Sequence, residues 1–454
     1  MFADVSVYNR TVMTAEQMPA VVDEAIRQAY AKRGVAVITI PKDLGWQEIE
    51  DNYISSANLY QKPLPLEPDS ERIQQAWKIL KEAKHPLIYI GQGTRGAREE
   101  VLALSKMLQA PILSSALAKG IVPDNAPAYM GSAGRVASKP GVEIASNTDA
   151  VLFLGSDMPF QSFFIPEDAK YIQVDIDGTK FGRRHQVDLA ILADAKLTIK
   201  KLMEIGEQLP ETAWYRAALA DKENWVEWLE KRSLIDSSPL EVEPVFKAIN
   251  EMATDDAIFQ VDVGNVTIDG MRLLDTSKNQ RFTTSGWYAT MGYALPAAIG
   301  AKSQYPNRQV WSISGDGAWA MVMPDILTQV KYHLPIINVV LTNKSLGFIE
   351  AEQDDAKQPH SGIDLIGANF GASAAALGAV GFDVNNLSEL KEAFAKAKET
   401  DRPVVINVNI FDHRPLPVEQ LKLDSSIYGE ETVEAFEKEY QTQGLIPFSK
   451  LIKE

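Results

Sequence analysis

Val310-Trp311-Ser312-Ile313-Ser314-Gly315-Asp316-Gly317 carries an apolar run straight into a Gly-Asp-Gly turn. A short apolar run bounded by glycine marks a strand buried on both faces of a parallel sheet. The next such run, Ile336 to Leu341, leads to Asn343, 27 residues after Asp316. Carboxyl ends of neighbouring parallel strands lie on one edge of the sheet, so Asp316 and Asn343 can converge. One carboxylate and one amide oxygen are too few for a Mg²⁺ held by protein alone. They suit a Mg²⁺ completed by substrate phosphates, a backbone carbonyl and water. Gly315 and Gly317 admit backbone close to a diphosphate, and the helix expected next points its amino end there. Gly-Asp-Gly alone is an ordinary turn; the strand before it and Asn343 after it set this one apart.

The same alternation extends in both directions. On the carboxyl side of the chain, strands are expected at Ile258 to Val263 and Val404 to Val408, with helices from Pro296 and near Met323 to Val330. A Trp-rich helical stretch with Trp214, Trp225 and Trp228 opens this block. Upstream, Ile73, Ala76, Trp77 and Leu80 mark a helix, Val101, Leu104 and Leu108 another, and a third begins near Lys196. Pro86 to Ile90, Pro111 to Leu113, Ala150 to Leu154 and Tyr171 to Val174 read as strands. The fold class is therefore α/β, with two doubly wound parallel-sheet domains that bind ligands beyond the carboxyl ends of their strands. Ahead of them, Thr14-Ala15-Glu16-Gln17 reads as a capping box, with Val22, Ala25, Ile26 and Ala29 as the stripe of one helix. Gly34 ends that helix and Val35 to Ile40 forms one strand, which together read as the tail of a third α/β unit. Pro63, Pro65 and Pro68 punctuate a linker. The expected domains are 1–62, 63–211 and 212–454.

Composition narrows the chemistry. A net charge of −16 repels nucleic acid and anionic membrane, so neither is expected as a partner. With no Cys and 5 His, disulfides, thiolate catalysis, Fe–S clusters and Cys–zinc sites are excluded, and any metal is held mainly by oxygen. No apolar run approaches the ~20 residues that cross a bilayer. Met1-Phe2-Ala3-Asp4-Val5 lacks the order of a signal peptide, so a cytoplasmic location is expected.

A second glycine cluster, Ile90-Gly91-Gln92-Gly93-Thr94-Arg95-Gly96, leaves a strand and enters a helix. Gly-x-Gly by itself is weak evidence of a dinucleotide site. Ala118-Lys119-Gly120, Gly155-Ser156 and Asp175-Ile176-Asp177 end further strands, and acidic side chains there can accept from ribose hydroxyls.

The stretch from Gly315-Asp316-Gly317 to Asn343 resembles the thiamine diphosphate motif of the pyruvate oxidase and acetolactate synthase superfamily. Val261-Asp262-Val263-Gly264-Asn265 and Ala289-Thr290-Met291-Gly292 match it as well. Arg414-Pro415-Leu416-Pro417 and Leu421-Lys422-Leu423-Asp424-Ser425 are similar to segments of the phosphate-dependent pyruvate oxidases of lactic acid bacteria, and the resemblance spans essentially the whole chain. It implies that Asp316, Asn343 and the Ser345 carbonyl ligate Mg²⁺. Gly264, Asn265, Gly315, Gly317, Ala318 and Gly347 would meet thiamine diphosphate, and Met291 would be the wedge that bends it. Phe348, Ile349, Glu352 and Val263 would face the reacting groups, Phe348 and Glu352 being i,i+4 neighbours on a helix. FAD would be held by Gly91, Gly93, Arg95, Lys119, Arg135, Gly155, Ser156, Asp175, Asp177, Asp194 and Ala195. A side chain at Gly93 would then lower flavin occupancy.

The implied reaction takes pyruvate, phosphate and O₂ to acetyl phosphate, CO₂ and H₂O₂, in a homo-oligomer built as a dimer of dimers. A carboligase of the acetolactate synthase type is the alternative. In the resembled family the glutamate that protonates the cofactor aminopyrimidine lies in a first domain upstream of Met1. No Glu here takes that role, Glu16 and Glu24 reading as capping or solvated residues. The 454 residues alone are therefore expected to turn over poorly, and a non-catalytic cofactor-binding fragment is a further alternative. A quinone-linked enzyme would need a basic, membrane-docking tail, which Glu430, Glu431, Glu434, Glu437 and Glu439 disfavour.

Overall fold

Among the described residues every pairing between strands is parallel, in one sheet of two strands and two sheets of six. The computed structural model describes all residues except 1, 57, 58, 60–63, 158–163, 413, 414, 416–428, 432, 433, 435–437, 439–441, 453 and 454. Pro63, Arg414, Leu416, Pro417, Leu421 to Ser425, Glu437 and Glu439 thus lie outside the described residues. The chain divides into two units, Met1–Pro65 and Leu66–Glu454.

In the first unit β1 (Tyr8–Thr11) pairs with β2 (Ala36–Thr39), joined through α1 (Met18–Lys32). β1 escaped the sequence reading because Tyr-Asn-Arg-Thr has no apolar run. The capping box does not form: Thr14 makes no side-chain cap, and a 3₁₀ turn (Ala15–Gln17) precedes α1.

The second unit holds both six-stranded sheets. The first is ordered β5-β4-β3-β6-β7-β8. Its strands are β3 (Pro86–Ile90), β4 (Ile112–Ser114), β5 (Tyr129–Ser132), β6 (Ala150–Leu154), β7 (Lys170–Asp175) and β8 (Leu189–Leu192). α2 (Ser70–Glu82), α3 (Arg98–Leu108) and α5 (Ala195–Ile205) pack one face through Leu80, Leu104 and Leu202. α4 (Lys139–Ser146) and α6 (Ala213–Arg232) cover the other through Ile144 and Trp214. With both faces covered, β3 and β6 are buried at every position, which is why their sequences are unbroken apolar runs.

The second sheet is ordered β10-β9-β11-β12-β14-β13. It contains β9 (Ile258–Val261), β10 (Arg281–Thr283), β11 (Val310–Gly315), β12 (Ile337–Thr342), β13 (Val380–Val384) and β14 (Val404–Asn409). α7 (Val242–Met252), α8 (Asn265–Leu273) and α14 (Leu387–Lys398) lie on one face. α9 (Ala294–Gln304), α10 (Asp316–Val322), α11 (Ile326–Lys331) and α13 (Phe370–Ala376) lie on the other, and α12 (Gly347–Asp355) follows β12. The strand order reverses between β3 and β6 in the first sheet and between β9 and β11 in the second, where β13 also doubles back outside β14. Such a reversal opens a crevice beyond the strand ends.

Polar contacts fasten the two sheets together. Arg98 donates from Nε to the Ile121 carbonyl (2.8 Å) and from Nη1 to the Lys278 carbonyl (2.9 Å). Asp124 accepts from the Thr276 N–H (2.7 Å) and hydroxyl (2.6 Å), and pairs with Lys119 Nζ at 2.8 Å.

Candidate active site

Both crevices open into a single cavity of about 920 Å³. The β9–β11 crevice contributes Val263, Gly264 and Asn265 from the end of β9, and Gly315, Asp316, Gly317 and Ala318 from the end of β11. Met291, Asn343, Ser345, Gly347, Phe348, Ile349 and Glu352 complete that side. The register puts Gly315 opposite Leu341, so Asp316 and Asn343 do leave the sheet on one edge.

Asp316 is buried and held from two directions. Its Oδ1 accepts from the Gly317 N–H and its Oδ2 from the Lys344 N–H, both at 2.9 Å. Burial pushes this carboxyl above the usual aspartate range against those two bonds, and the carboxylate of Asp412 pushes the same way. Asn343 donates from Nδ2 to Asp412 Oδ1 at 3.0 Å, and its amide oxygen accepts from the Ser345 N–H at 3.3 Å. Ser345 donates its hydroxyl to Glu350 at 2.6 Å. Among the described residues no group of three or more His, Cys, Asp or Glu could hold a metal. The oxygen set here is instead one carboxylate, one amide and backbone.

The glycines of this half divide by what a side chain would meet. At Gly264 (φ +133°) and Gly315 a Cβ would meet no atom within 4 Å, so both leave room on the cavity wall. At Gly317 it would lie 2.7 Å from Leu346 Cδ2, and at Gly347 2.6 Å from Asn265 Nδ2, so those two serve packing.

On the β3–β6 side the cavity is lined by Gly91, Gln92, Arg135, Gly155, Ser156, Asp157 and Arg184. Gly93, Arg95, Lys119, Asp175, Asp177, Asp194 and Ala195 do not line it. Lys119 pairs with Asp124 instead, and Arg95 donates to the Leu117 carbonyl (3.3 Å). Asp177 caps a 3₁₀ turn through the Thr179 N–H (3.0 Å), and Asp194 caps α5, which begins at Ala195, through the Leu197 N–H (3.0 Å). Asp175 Oδ1 accepts from the Asp177 N–H at 2.9 Å. The glycine signature also has a packing cause: a Cβ at Gly91 would lie 2.1 Å from the Gly155 carbonyl oxygen, and one at Gly93 2.7 Å from Gly155 Cα. A side chain at Gly93 therefore breaks the contact between the β3 and β6 loops whether or not a flavin is present. The Gly93 substitution cannot report on flavin contact by itself.

Glu352 accepts a hydrogen bond from Arg135 Nη1 across the cavity, linking a residue expected to face the reacting groups to one expected to hold FAD. Sequence reasoning passed over Asp412, Arg184 and Asp157. Asp412 lies beyond β14, the neighbour of β12, so knowledge of strand order would have put it beside Asn343. Arg183 and Arg184 form a basic pair against Asp157.

Two family models match, "Thiamine pyrophosphate enzyme, central domain" over residues 73–202 and "Thiamine pyrophosphate enzyme, C-terminal TPP binding domain" over 262–408. The chain is 42% identical to a pyruvate oxidase of Lactiplantibacillus plantarum, covering 100% of this chain and 76% of that protein. It is 37% identical to a putative thiamine pyrophosphate-containing protein of Bacillus subtilis, covering 92% and 72% respectively. An acetolactate synthase large subunit of Corynebacterium glutamicum is 29% identical over 89% of this chain and 67% of its own length.

Proposed function

The chain belongs to the thiamine pyrophosphate enzyme family, in the superfamily of pyruvate oxidase and acetolactate synthase, and we propose that it serves the oxidative decarboxylation of pyruvate. The substrates would be pyruvate, phosphate and O₂, and the products acetyl phosphate, CO₂ and H₂O₂. One observation carries this reading: the cavity of about 920 Å³ joins the Asp316 cradle to a second crevice lined by Ser115, Arg135, Ser156 and Arg184. A decarboxylase without oxidation needs the first crevice alone.

The residues fit the cofactors. Asp316 is a buried carboxylate disfavoured by its surroundings, and a divalent cation would relieve that cost. Asn343 and the Ser345 carbonyl would complete the protein's share of Mg²⁺ ligation. Gly264 and Gly315 leave the space that a diphosphate requires. In the second crevice Arg135 and Arg184 offer cations to the phosphates of FAD, and Ser115 and Ser156 offer polar groups. Bound thiamine diphosphate supplies the carbanion chemistry of decarboxylation, and FAD accepts two electrons. Met291 shapes the thiamine side, Val263, Phe348 and Ile349 keep water from the reacting centre, and Glu352 holds Arg135, whose guanidinium would orient the substrate carbonyl. The exposed rings of Trp287 and Tyr288 line the same cavity, which supports an assembly in which another copy of the chain covers them. Among the described residues no helix is long and apolar enough to cross a membrane.

The test is oxygen uptake and acetyl phosphate formation by purified protein given thiamine diphosphate, Mg²⁺, FAD, phosphate and pyruvate. Pyruvate-dependent oxygen uptake that requires phosphate supports the proposal. Acetolactate formed without oxygen uptake would instead support the carboligase reading, which the synthase relative favours.

A further inference from the structure

Asp262 follows β9 and is fully buried. Its Oδ1 accepts from the backbone N–H groups of Val263 (2.9 Å), Gly292 (2.9 Å) and Tyr293 (3.3 Å). Its Oδ2 accepts from the Ala294 N–H (3.1 Å) and the Ser314 hydroxyl (3.1 Å). Among the described residues no Lys, Arg or His lies within ion-pair distance of it. A buried carboxylate without a cation is costly unless hydrogen bonds satisfy it. Here five donors do so.

Those donors come from three separate stretches of chain, and each stretch leads to a wall of the cavity. Val263 precedes Gly264. Gly292 to Ala294 follow Met291 and open α9. Ser314 precedes Gly315 and Asp316. All three adjoining segments line the cavity. We propose that Asp262 is a positioning residue, an anionic pin that holds Gly264, Met291 and Asp316 in fixed relation to one another.

The alternative is a plain helix cap for α9. A cap needs one or two N–H groups of its own helix. Asp262 also takes Val263 and Ser314, which belong to neither α9 nor its approach. Four backbone N–H groups and the Ser314 hydroxyl all point at the carboxylate oxygens, so the site suits a group that accepts on both atoms. An amide in its place can turn its oxygen toward the three donors on the Oδ1 side, but its NH₂ then faces the Ala294 N–H.

This inference rests on the reading of the cavity as a thiamine diphosphate site, and the experiment separates the two. Thiamine diphosphate is titrated into wild-type protein and Asp262→Asn at fixed Mg²⁺, following intrinsic Trp fluorescence, with thermal midpoints measured in parallel. Asn338→Ala is the control. Asn338 is equally buried, bonds to Gln329 and the Val404 carbonyl, and sits at the amino end of β12, away from the cavity. Residues that orient metal-site groups without touching the metal typically cost roughly 10–100-fold in affinity when replaced. Asp262→Asn should weaken binding by that order, while Asn338→Ala loses thermal stability and keeps its affinity. If Asp262→Asn does not fold, Ser314→Ala, which removes one donor, should shift affinity in the same direction by less. Wild-type affinity in the folded Asp262→Asn, or in Ser314→Ala if that variant must stand in, would overturn the positioning role. Equal loss of affinity in Asn338→Ala would overturn it too, by showing that stability alone sets affinity. Failure of the wild type to bind would overturn the site reading itself.

Discussion

Gly91→Ala and Gly315→Ala should move stability in opposite directions, although both glycines end a buried strand in the same way. At Gly91 the new Cβ would lie 2.1 Å from the Gly155 carbonyl oxygen and 2.7 Å from Ser156 Cβ. The obstacle is backbone, so it yields only if the β6 loop shifts. That shift strains the bond from the Gly93 N–H to the Gly155 carbonyl (3.2 Å). Overpacking costs about 1–3 kcal/mol and a weakened hydrogen bond about 0.5–1.5 kcal/mol, together about 1.5–4.5 kcal/mol. At the scale of a domain of about 150–250 residues that corresponds to a fall of roughly 3–18 °C in thermal midpoint. Gly315 has φ −75° and ψ 161°, open to any residue, and its Cβ would meet nothing within 4 Å. Alanine there restricts the unfolded chain and should stabilise by about 0.4–1 kcal/mol, yet it puts a methyl group on the wall read as the diphosphate cradle. Differential scanning calorimetry without ligands, then calorimetric titration with thiamine diphosphate and Mg²⁺, reads both effects. A wild-type midpoint for Gly91→Ala, or full cofactor affinity in Gly315→Ala, would refute this sorting of the glycines.

Asp316→Ala should abolish Mg²⁺-dependent thiamine diphosphate binding and leave flavin content unchanged; unaltered affinity by titration would remove Asp316 from the metal site. Lys139 is buried against Glu143 (2.6 Å) and Asp221, so Lys139→Met leaves two carboxylates without a cation and should cost about 3–5 kcal/mol in urea unfolding. Burial and the Glu143 carboxylate already push the Asp221 carboxyl up, so protonation should narrow that deficit as pH falls. His185 packs against the rings of both Phe153 and Tyr171, and burial pushes its pKa down. A depressed value means the unfolded chain binds the proton more tightly. Its contribution is therefore whole above the ordinary histidine value of about 6.5 and is lost as pH falls through the folded value. Urea midpoints of wild type and His185→Gln should converge below that pH, and a constant gap would count against the assignment.

The Asp316–Asn343 pair was legible because β11 and β12 are buried on both faces. Two largely apolar runs that each lead to a polar residue bring those residues to one edge once they pair as neighbouring parallel strands, as β11 and β12 do. β5, β10 and β13 were not legible. Arg-Phe-Thr and Val-Gly-Phe-Asp-Val lie at sheet edges, where burial is incomplete and the apolar run breaks up, and Tyr-Met-Gly-Ser, an edge strand buried at all but Gly131, is short and half polar or glycine. Nor could spacing tell a glycine that leaves room for a ligand from one pressed against another loop. Gly91 and Gly315 both lie at the ends of buried strands, and only the partner across the crevice, Gly155 in one case and open space in the other, separates them. Lys119 was read as a cofactor contact for the same reason: its partner Asp124 and that residue's tie to Thr276, 152 positions away, are written in the packing of two sheets and in no local pattern.

That packing is where the two crevices become one site. Each sheet alone yields a shallow crevice at its own reversal of strand order. The two face one cavity because Arg98 reaches the Lys278 carbonyl, Asp124 holds Thr276, and Arg272 donates to the Ala137 carbonyl at 2.7 Å. Gly286 presses against Leu117 so closely that a Cβ would lie 2.7 Å from its side chain. These fasteners are mostly side chain to backbone, so they fix position at modest apolar area. The distance between the Asp316 cradle and the Arg135 side of the cavity is thus set by the seam and not by either sheet. A chemistry that passes electrons from one bound group to another depends on that distance more than on either cradle's own shape. On the proposed reading, with thiamine diphosphate in one crevice and FAD in the other, the seam residues would be as much a part of the site as the residues that line it.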